Sequence, residues 1–169
     1  MPFWRAFYHL VWCTRNRESL ITVVIERQLL AVLIDKAAEL GVYVHAVNAC
    51  RDHVHMVAAI PPKVSVAGVV GQLKGHSAHE LNRTLGGGFG WQRGYGVLTL
   101  GSRQLEAAIE YVRKQKEHHQ GATTVSWLER DAEDDEGPIE GISTNGGRVL
   151  REEADTYEVD ASAAEAGGW

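Results

Sequence analysis

Two short runs of alternating residues, separated by a tight turn, limit the fold of this chain more than any other feature. Residues 42–50 read V-Y-V-H-A-V-N-A-C, and residues 53–60 read H-V-H-M-V-A-A-I before the pair Pro61-Pro62. Alternation with a period of two predicts strands, and the turn at residues 51–52 makes them an antiparallel hairpin. The prolines end the second strand because proline has no N–H to donate to a ladder.

Segments with helical spacing lie on both sides of this hairpin. Apolar residues recur at intervals of three and four over residues 22–40, with Gly41 as a stop, and again from Ser65 to about Leu81. These patterns predict two amphipathic helices, the second with Ser65 as its N-cap. The alternating run over residues 3–13 predicts a strand before the first helix.

A glycine-rich connection leads from the second helix to the last predicted elements. Residues 97–100, V-L-T-L, predict a short fourth strand, and a further helix starts near Ser102. The order is β-α-β-β-α-β plus one helix, which is the ferredoxin-like α+β arrangement with an antiparallel sheet. Two helices cover one face of such a sheet and leave the other face for a ligand or for the last helix. The connection lacks G-x-x-x-x-G-K-[ST], so we expect no nucleotide cofactor.

The net charge of −5 averages two unlike parts of the chain. Residues 1–128 hold 14 Lys and Arg against 9 Asp and Glu, whereas residues 129–169 hold 3 against 13, and all 8 histidines lie in the first part. Such asymmetry occurs in nucleic-acid-binding proteins, although most basic faces are merely solvated. We predict a folded domain over residues 1–120 and an acidic, flexible or loosely docked extension over residues 121–169.

The chain shows no sign of a membrane or secretory segment. No stretch approaches the roughly 20 uncharged apolar residues that cross a bilayer, and the N-terminus lacks the apolar core of a signal peptide. We therefore expect a cytoplasmic protein. Cys13 and Cys50 have no C-x-x-C spacing and lie in strand-like segments, which favours two core thiols over a disulfide or a thiolate zinc site.

Two histidines share one face of the second strand of the hairpin. In the segment D-H-V-H-M, residues 52–56, His53 and His55 project from the same side about 7 Å apart, while Val54 points into the core. Two imidazoles on one face can converge on one divalent ion, and the alternative is a simple polar surface. Imidazole combined with a carbonyl or carboxamide oxygen suits Mn or Mg in phosphate chemistry, and such a site also binds Zn or Ni.

The last predicted helix carries a second pair of interest. Tyr111 and Gln115 are at positions i and i+4, so they are neighbours on one helix face. This spacing pairs a hydroxyl nucleophile with an amide that offers a carbonyl oxygen to a metal. The alternative is a tyrosine at the edge of the core and a solvated glutamine. We expect His118 and His119, at the exposed end of the helix, to favour the helix dipole and not to bind metal.

Five segments of the chain together resemble one family. They are Y-H-L-V-W-C-T-R-N-R (8–17), D-H-V-H-M-V-A-A-I-P-P-K (52–63), Q-L-K-G-H-S-A-H-E-L (72–81), W-Q-R-G-Y (91–95) and Y-V-R-K-Q (111–115). Their order resembles that of the single-tyrosine HUH transposases. These are the small transposases of the simplest bacterial insertion sequences, IS200-like, and of their relatives associated with repeated palindromes. The resemblance covers about two thirds of the chain.

The resemblance implies an activity and a set of residue roles. Members of this family cut and rejoin single-stranded DNA at hairpin-bearing ends, on a ferredoxin-like scaffold, with Mg²⁺ or Mn²⁺. By position, His53, His55 and Gln115 would be the metal ligands, and Tyr111, on the additional C-terminal helix, would be the nucleophile. Attack by Tyr111 would leave a 5′-phosphotyrosine and release a 3′-hydroxyl, so that rejoining needs no ATP.

The same resemblance implies partners and a location. The substrate would be single-stranded DNA with a hairpin, and residues 1–120 would be the catalytic domain. Two copies would form a homodimer in which the tyrosine helix of one subunit can complete the histidine site of the other. The protein would work in the bacterial cytoplasm, next to the nucleoid.

Candidate DNA contacts come from residue type and from position near the motifs. Phosphate binding needs cations, and single strands add stacking on groups such as Trp91. The candidates are Arg15, Arg17, Arg51, Lys74, His76 and Arg93. At Cys50 and Arg51 the chain departs from the family, which often has an apolar residue and a proline there, so the turn is expected to differ and Arg51 to face DNA. The acidic extension lies outside the motifs, and three roles stay open for it: restraint of the active site, binding of a partner, or none.

Two other readings remain on the sequence alone. One is a domesticated relative that processes palindromic repeats without moving itself. The other is a non-catalytic ferredoxin-like module that binds single-stranded nucleic acid with its sheet. Such a module leaves the histidine pair and Tyr111 without a role, and it lacks the paired aromatic residues of an RNA-recognition motif.

Overall fold

The computed structural model of the protein describes residues 3–121, 123–125 and 128–129. These residues belong to the first of two compact units, Met1–Asp135, and the second unit, Glu136–Trp169, lies outside the described residues. In the described part the strands are β1 (Phe7–Cys13), β2 (Tyr43–Ala49), β3 (His53–Ala59) and β4 (Gly96–Leu100). The α-helices are α1 (Val23–Glu39), α2 (Val66–Leu85), α3 (Leu105–Arg113) and α4 (Gln115–Gln120).

The four strands form one antiparallel sheet with the order β2-β3-β1-β4. This order and the sequence of elements confirm the predicted ferredoxin-like α+β class. The central strands β1 and β3 pair over their whole length, so any group that β3 carries is held by ladders on both sides. None of the helices in the described part of the chain has the length and apolar character that a membrane crossing requires.

The bounds of α1 and α2 follow from their capping residues. The hydroxyls of Thr22 and Ser65 each accept a hydrogen bond from the backbone N–H three residues further on, which fixes the first turn of each helix. Gly41 follows α1 with φ 71°, and Gly86 ends α2 with φ 77°, a left-handed conformation that suits glycine. The predicted helices are therefore confirmed, and α2 runs one turn further than its apolar pattern indicated.

One face of the sheet packs against α1 and α2 and forms the main core. Its side chains come from alternate positions of the strands and from one stripe of each helix, as amphipathic patterning requires. Its fully buried members include Leu10, Trp12, Leu29, Leu33, Val54, Met56, Leu73 and Leu81. The sheet is consequently anchored from one side, and its opposite face is left for the remaining elements.

The opposite face of the sheet carries α3 and α4 at one end. Ala108 and Val112 of α3 pack against Ala46, Val57 and Leu100 in a smaller apolar cluster. Alternation along β1 and β3 places His9, His53 and His55 on this same face. We call it the site face.

Two local features differ from the regular elements that the sequence predicts. The pairing of β2 with β3 shifts between Val44 and Ala46, which is a β-bulge. The last helix is interrupted at Lys114, whose φ is −96° and ψ 11°, so it forms α3 and α4 instead of one helix. The bulge turns Asn48 to the site face, where its Nδ2 donates to the carbonyls of Val112 (3.0 Å) and Arg113 (3.3 Å) and satisfies the end of α3.

Candidate active site

Strand β3 holds two histidines side by side on the site face. The rings of His53 and His55 are buried, with centroids 5.1 Å apart, while Val54 between them is fully buried in the main core. This arrangement confirms what the alternation predicts. Because β3 is paired with β1 and β2, the backbone that carries both imidazoles is held on both sides.

Each of these imidazoles has a hydrogen-bond partner on the nitrogen that faces away from the other groups of the site. Nδ1 of His53 lies 2.6 Å from Oδ1 of Asp52, and Nδ1 of His55 lies 2.9 Å from Nε2 of His9. If each Nδ1 carries the ring proton and donates it to these acceptors, both Nε2 atoms present a lone pair. His9 is fully buried on β1, and the sequence analysis assigned it no role.

Gln115 joins the two histidines at the first residue of α4. Its side chain is fully buried, and its Nε2 lies 3.2 Å from Nε2 of His53. Its Oε1 is buried without a hydrogen-bond partner. A half-turn of the amide exchanges the two atoms and directs the oxygen at His53. The alternative of a solvated glutamine is therefore wrong, and Gln115 lies beside His53, while its role as a ligand stays a prediction.

Tyr111 lies at the end of α3 with its hydroxyl beside the same cluster. Its ring is 6.3 Å from the ring of His55, between centroids, and it stacks on the ring of His118 at 4.7 Å. The hydroxyl donates to Oε1 of Glu129 and accepts the backbone N–H of Val125 at 3.1 Å. Although a break separates α3 from α4, Tyr111 and Gln115 still face one site.

Two further members of the cluster, His119 and Glu129, are not among the site residues that the sequence predicts. His119, expected at an exposed helix end, has its Nε2 3.2 Å from Nε2 of His53. Its position four residues after Gln115 is the signal that could have placed it on the same face of α4. Glu129 has its Oε2 3.4 Å from Nε2 of His55 and 3.7 Å from Nε2 of His53. No motif points to Glu129, which lies in the segment assigned to the acidic extension.

Burial and hydrogen bonding shift the pKa values of the three histidines in different directions. Burial, together with His55, lowers the pKa of His9 to about 3. Burial lowers the pKa of His55 to about 4, although Glu129 acts in the opposite direction. Burial also disfavours the charged form of His53, but its bonds to Asp52 and to a neighbouring thiol outweigh this and raise its pKa to about 9. His9 and His55 are therefore neutral near pH 7.

The tyrosine and the carboxylate form a second electrostatic pair. Burial and the hydrogen bond to Glu129 raise the pKa of the Tyr111 hydroxyl to about 12. Burial opposes ionisation of Glu129, but its contacts with His55 and Tyr111 outweigh burial and lower the pKa to about 2. Without a neighbouring cation the phenol is therefore a poor nucleophile, and the carboxylate keeps its negative charge.

The donor set of the cluster fits a divalent ion. Nε2 of His55 is buried with no hydrogen-bond partner, and so is the carboxamide oxygen of Gln115, which are the atoms that a metal would satisfy. Ligand atoms of His53, His55 and Glu129 all lie within 4.8 Å of one another. Two imidazoles with a carboxylate and an amide oxygen form a mixed N and O set that suits Mn²⁺ and accepts Mg²⁺.

One cysteine lies beside the cluster. Cys13 is buried as predicted, but Cys50 is only half-buried, so its assignment to the core is wrong. The thiol of Cys50 and ring nitrogens of His53 and His119 lie within 4.8 Å of one another. The turn at residues 51–52 brings Cys50 to this position.

The structure places three predicted DNA contacts near the start of β3. The loop after β1, which carries Arg15 and Arg17, pairs with the turn that contains Arg51: the N–H of Thr14 donates to the carbonyl of Asp52 at 2.7 Å. Nη1 of Arg17 lies 3.5 Å from Oδ2 of Asp52, the residue whose other oxygen bonds His53. Arg17 and Arg51 therefore lie at the edge of the site, whereas the guanidinium of Arg15 lies against Gly90 in the loop before β4.

The other three predicted contacts lie away from the histidines. Lys74 and His76 are on α2, which packs on the opposite face of the sheet. Nζ of Lys74 donates to the carbonyls of Gln92 and Gly94, at 2.7 and 2.6 Å, and so holds the loop that carries Arg93. DNA contact by all six residues stays a prediction.

A groove of about 800 Å³ opens beside the histidine cluster. Its lining includes Arg51, His53, Lys116 and His119. Nζ of Lys116 is paired with Glu26 across the groove at 2.5 Å. A polymer that follows this groove would pass His53.

The chain resembles known proteins along most of its length. The sequence profile of the family described as "Transposase IS200 like" matches residues 2–115. The chain is 30% identical over 115 residues to the ISDra2 transposase TnpA of Deinococcus radiodurans. This alignment covers 64% of this chain and 82% of the relative. It is 30% identical over 121 residues to the transposase for insertion sequence element IS200 of Salmonella typhimurium, covering 68% of this chain and 79% of the relative.

Solved structures share the fold. The crystal structure of a candidate transposase from Deinococcus radiodurans R1 superposes with a TM-score of 0.56 at 25% identity, covering 68% of this chain and 95% of that chain. The structure of a REP-associated tyrosine transposase bound to a REP hairpin superposes with a TM-score of 0.56 at 15% identity. The superposition covers 89% of this chain and 100% of that chain. The sheet and the relatives together define the class as transposases. The chain belongs to the IS200-like transposase family, which confirms the resemblance seen in the sequence.

Proposed function

We propose that this transposase cleaves and rejoins single-stranded DNA at hairpin-bearing ends, with Tyr111 as the nucleophile. The observation that carries the proposal is the meeting of Tyr111 and Gln115 with His53 and His55 in a chain of a transposase family. A hydroxyl beside a metal-ligand set is what a covalent route to phosphodiester cleavage needs.

The proposed reaction is a transesterification on Tyr111. Oη attacks the phosphorus, the Oη–P bond forms, and the bond from phosphorus to the 3′ oxygen breaks. The hydrogen bond to Oε1 of Glu129 orients Oη, the phenol proton is lost to solvent, and the 3′ oxygen takes a proton from solvent. The products are a 5′-phosphotyrosine and a 3′-hydroxyl. Because the new ester keeps the energy of the old one, another 3′-hydroxyl can reverse the step without ATP.

The metal ligands in this proposal are His53, His55 and Gln115. A bound Mg²⁺ or Mn²⁺ supplies Lewis-acid chemistry, polarising a phosphate oxygen and offsetting charge on the scissile group. Asp52 and His9 orient the two imidazoles through their Nδ1 atoms, so that each Nε2 faces the same space.

The substrate follows from the charge at the edge of the site. Arg51 lines the groove beside His53, and a cation so placed suits a DNA backbone, whereas Lys116 of the same groove is paired with Glu26. The REP-associated relative with this fold was solved with a hairpin, which makes a hairpin with a single-stranded flank the first substrate to test. Since its DNA would be chromosomal, the protein would work in the bacterial cytoplasm beside the nucleoid.

The proposed assembly is a homodimer, as the family resemblance implies. Within the described residues, Tyr111 lies beside His55 of its own chain, so one chain supplies a complete set of groups. The exchange of tyrosine helices between two copies stays a prediction.

The experiment that tests the function uses single-stranded DNA copied from the flanks of the gene, with hairpins intact. Wild type with Mn²⁺ is expected to form a protein–DNA adduct that survives a denaturing gel and is absent with chelator. Tyr111→Phe should form no adduct but still bind the DNA. Tyr43→Phe, which changes an exposed tyrosine of β2, is the matched control and should behave as wild type. Binding without any adduct from wild type would favour the non-catalytic module.

A further inference from the structure

The carboxylate of Glu129 contacts several groups of the site, among them Nε2 of Gln115 at 3.5 Å from its Oε1. Its Oε1 accepts the hydroxyl of Tyr111, and its Oε2 lies 3.4 Å from Nε2 of His55, 3.7 Å from that of His53 and 3.4 Å from that of His119. Glu129 lies beyond residues 2–115, the part that matches the family. Nothing in the family motifs therefore accounts for these contacts.

The 3.4 Å from Oε2 to Nε2 of His55 is the separation of two ligands that share an ion, and the 3.7 Å to Nε2 of His53 is slightly longer. Donor atoms that lie about 2.1 Å from one ion, at angles between about 90° and 110°, are about 3.0–3.4 Å apart. Nε2 of His55 makes no hydrogen bond although Oε2 is 3.4 Å away, so the pair is close without being bonded. Among the histidine, cysteine and acidic side chains of the described residues, Glu129 is the one whose ligand atom groups with both His53 and His55.

The segment before Glu129 is held against the site by its own contacts. The N–H of Val125 donates to the hydroxyl of Tyr111 at 3.1 Å, and the N–H of Leu128 donates to the carbonyl of Val125 at 2.9 Å. Leu128 is 4% exposed. The N–H of Thr123 donates to the carbonyl of His118 at 3.0 Å. These bonds link the backbone next to Glu129 to Tyr111 and His118.

We propose that Glu129 is a ligand of the same divalent ion as His53 and His55, bound through Oε2, while Oε1 keeps the hydroxyl of Tyr111. The inference rests on the proposed function and adds an acidic ligand to its neutral set of two imidazoles and an amide. Hard ions such as Mg²⁺ and Mn²⁺ favour carboxylate oxygen, so the added charge raises affinity for them. One side chain would thus tie the nucleophile to the metal centre.

The test measures metal binding by the full-length protein without DNA. Mn²⁺ affinity is determined by calorimetry for wild type, Glu129→Gln and Glu106→Gln, an exposed acidic residue of α3 that serves as the control. Loss of a ligand should weaken Mn²⁺ binding by Glu129→Gln at least about 10-fold, the lower range for metal-site substitutions, with no change in Glu106→Gln. The glutamine keeps the shape of the side chain and an oxygen for the hydroxyl of Tyr111.

A spectroscopic readout separates ligation from a loss of structure. Co²⁺ loaded in place of Mn²⁺ should show a shifted visible absorption in Glu129→Gln, because the ligand set changes, while the melting temperature of the metal-free variant stays near that of wild type. Equal or tighter Mn²⁺ binding by Glu129→Gln would overturn the inference and leave the proposed function standing. In that case a faster cleavage rate would identify Glu129 as a competitor of the substrate phosphate. Failure of wild type to bind Mn²⁺ at all would overturn both.

Discussion

Nε2 of His9 lies 2.9 Å from Nδ1 of His55, with both rings fully buried on the site face. The bond joins β1 to β3 through side chains, in addition to the ladder between the strands. A partner on Nδ1 selects the tautomer in which Nε2 is free, as second-layer partners of metal-binding histidines do. His9 is thus expected to set the orientation and the protonation pattern of a metal ligand.

Replacement of His9 by leucine should weaken metal binding. His9→Leu leaves Nδ1 of His55 without an acceptor, and the Mn²⁺ affinity should fall by about 10- to 100-fold. His9→Gln can accept the same proton and should keep most of the affinity. His79→Gln, an exposed histidine of α2, is the control. Calorimetry on the DNA-free variants checks this, and a folded His9→Leu that binds Mn²⁺ like wild type would remove His9 from this role.

Asn48 is expected to fix the junction of α3 and α4. Asn48→Leu removes two hydrogen bonds to helix-end carbonyls, and the free energy of unfolding should fall by about 1–2 kcal/mol. The cleavage rate should fall as well, because the junction separates Tyr111 from Gln115. Denaturant unfolding and an adduct time course measure the two effects. Gln72→Leu, at an exposed position of α2, should change neither, and a normal cleavage rate in Asn48→Leu would contradict the assignment.

Lys74 is expected to act on the loop that carries Arg93 more than on DNA. Burial lowers the pKa of Lys74, and its ammonium already donates to two loop carbonyls. Lys74→Met should therefore lower the free energy of unfolding by about 1–2 kcal/mol, against little change in Lys63→Met, an exposed control. The salt dependence of DNA binding should stay the same. If Lys74→Met instead reduced the slope of log DNA affinity against log salt concentration by about one, Lys74 would be a phosphate contact.

Mixing of two inactive variants tests whether one chain supplies the whole site. Tyr111 lies beside His55 of its own chain, so a mixture of Tyr111→Phe and His55→Ala should form no adduct. Each variant alone is the negative control. Wild type diluted to the concentration of complete sites that the mixture could form is the positive control. Adduct formation by the mixture would show that helices exchange between two copies, as the family resemblance implies.

The sequence alone predicts the paired histidines and the scaffold because both depend on local periodicity. Alternation in β3 puts His53 and His55 on one face whatever the rest of the chain does. The capping residues Thr22 and Ser65 likewise mark helix starts by local chemistry. Tyr111 and Gln115 needed the family resemblance, since their spacing alone fits an ordinary amphipathic helix.

The remaining groups of the site depend on tertiary contacts that no local pattern encodes. The break at Lys114 accompanies hydrogen bonds from Asn48, which reaches α3 only because of the bulge in β2. His9 meets His55 through strand pairing across 46 positions of sequence. Glu129 lies beyond every motif, in a segment that its composition assigns to a solvated extension, and most of that extension lies outside the described residues.

The most direct test of the account is to locate the DNA on the protein. Wild type is reacted with Mn²⁺ and the hairpin-bearing strand, digested with protease and nuclease, and mapped by mass spectrometry. We predict a nucleotide phosphate on the peptide that contains Tyr111, joined through the 5′ end, with a free 3′-hydroxyl on the released fragment. A phosphate on another tyrosine, or cut DNA with no protein link, would contradict the assignment of Tyr111 as the nucleophile.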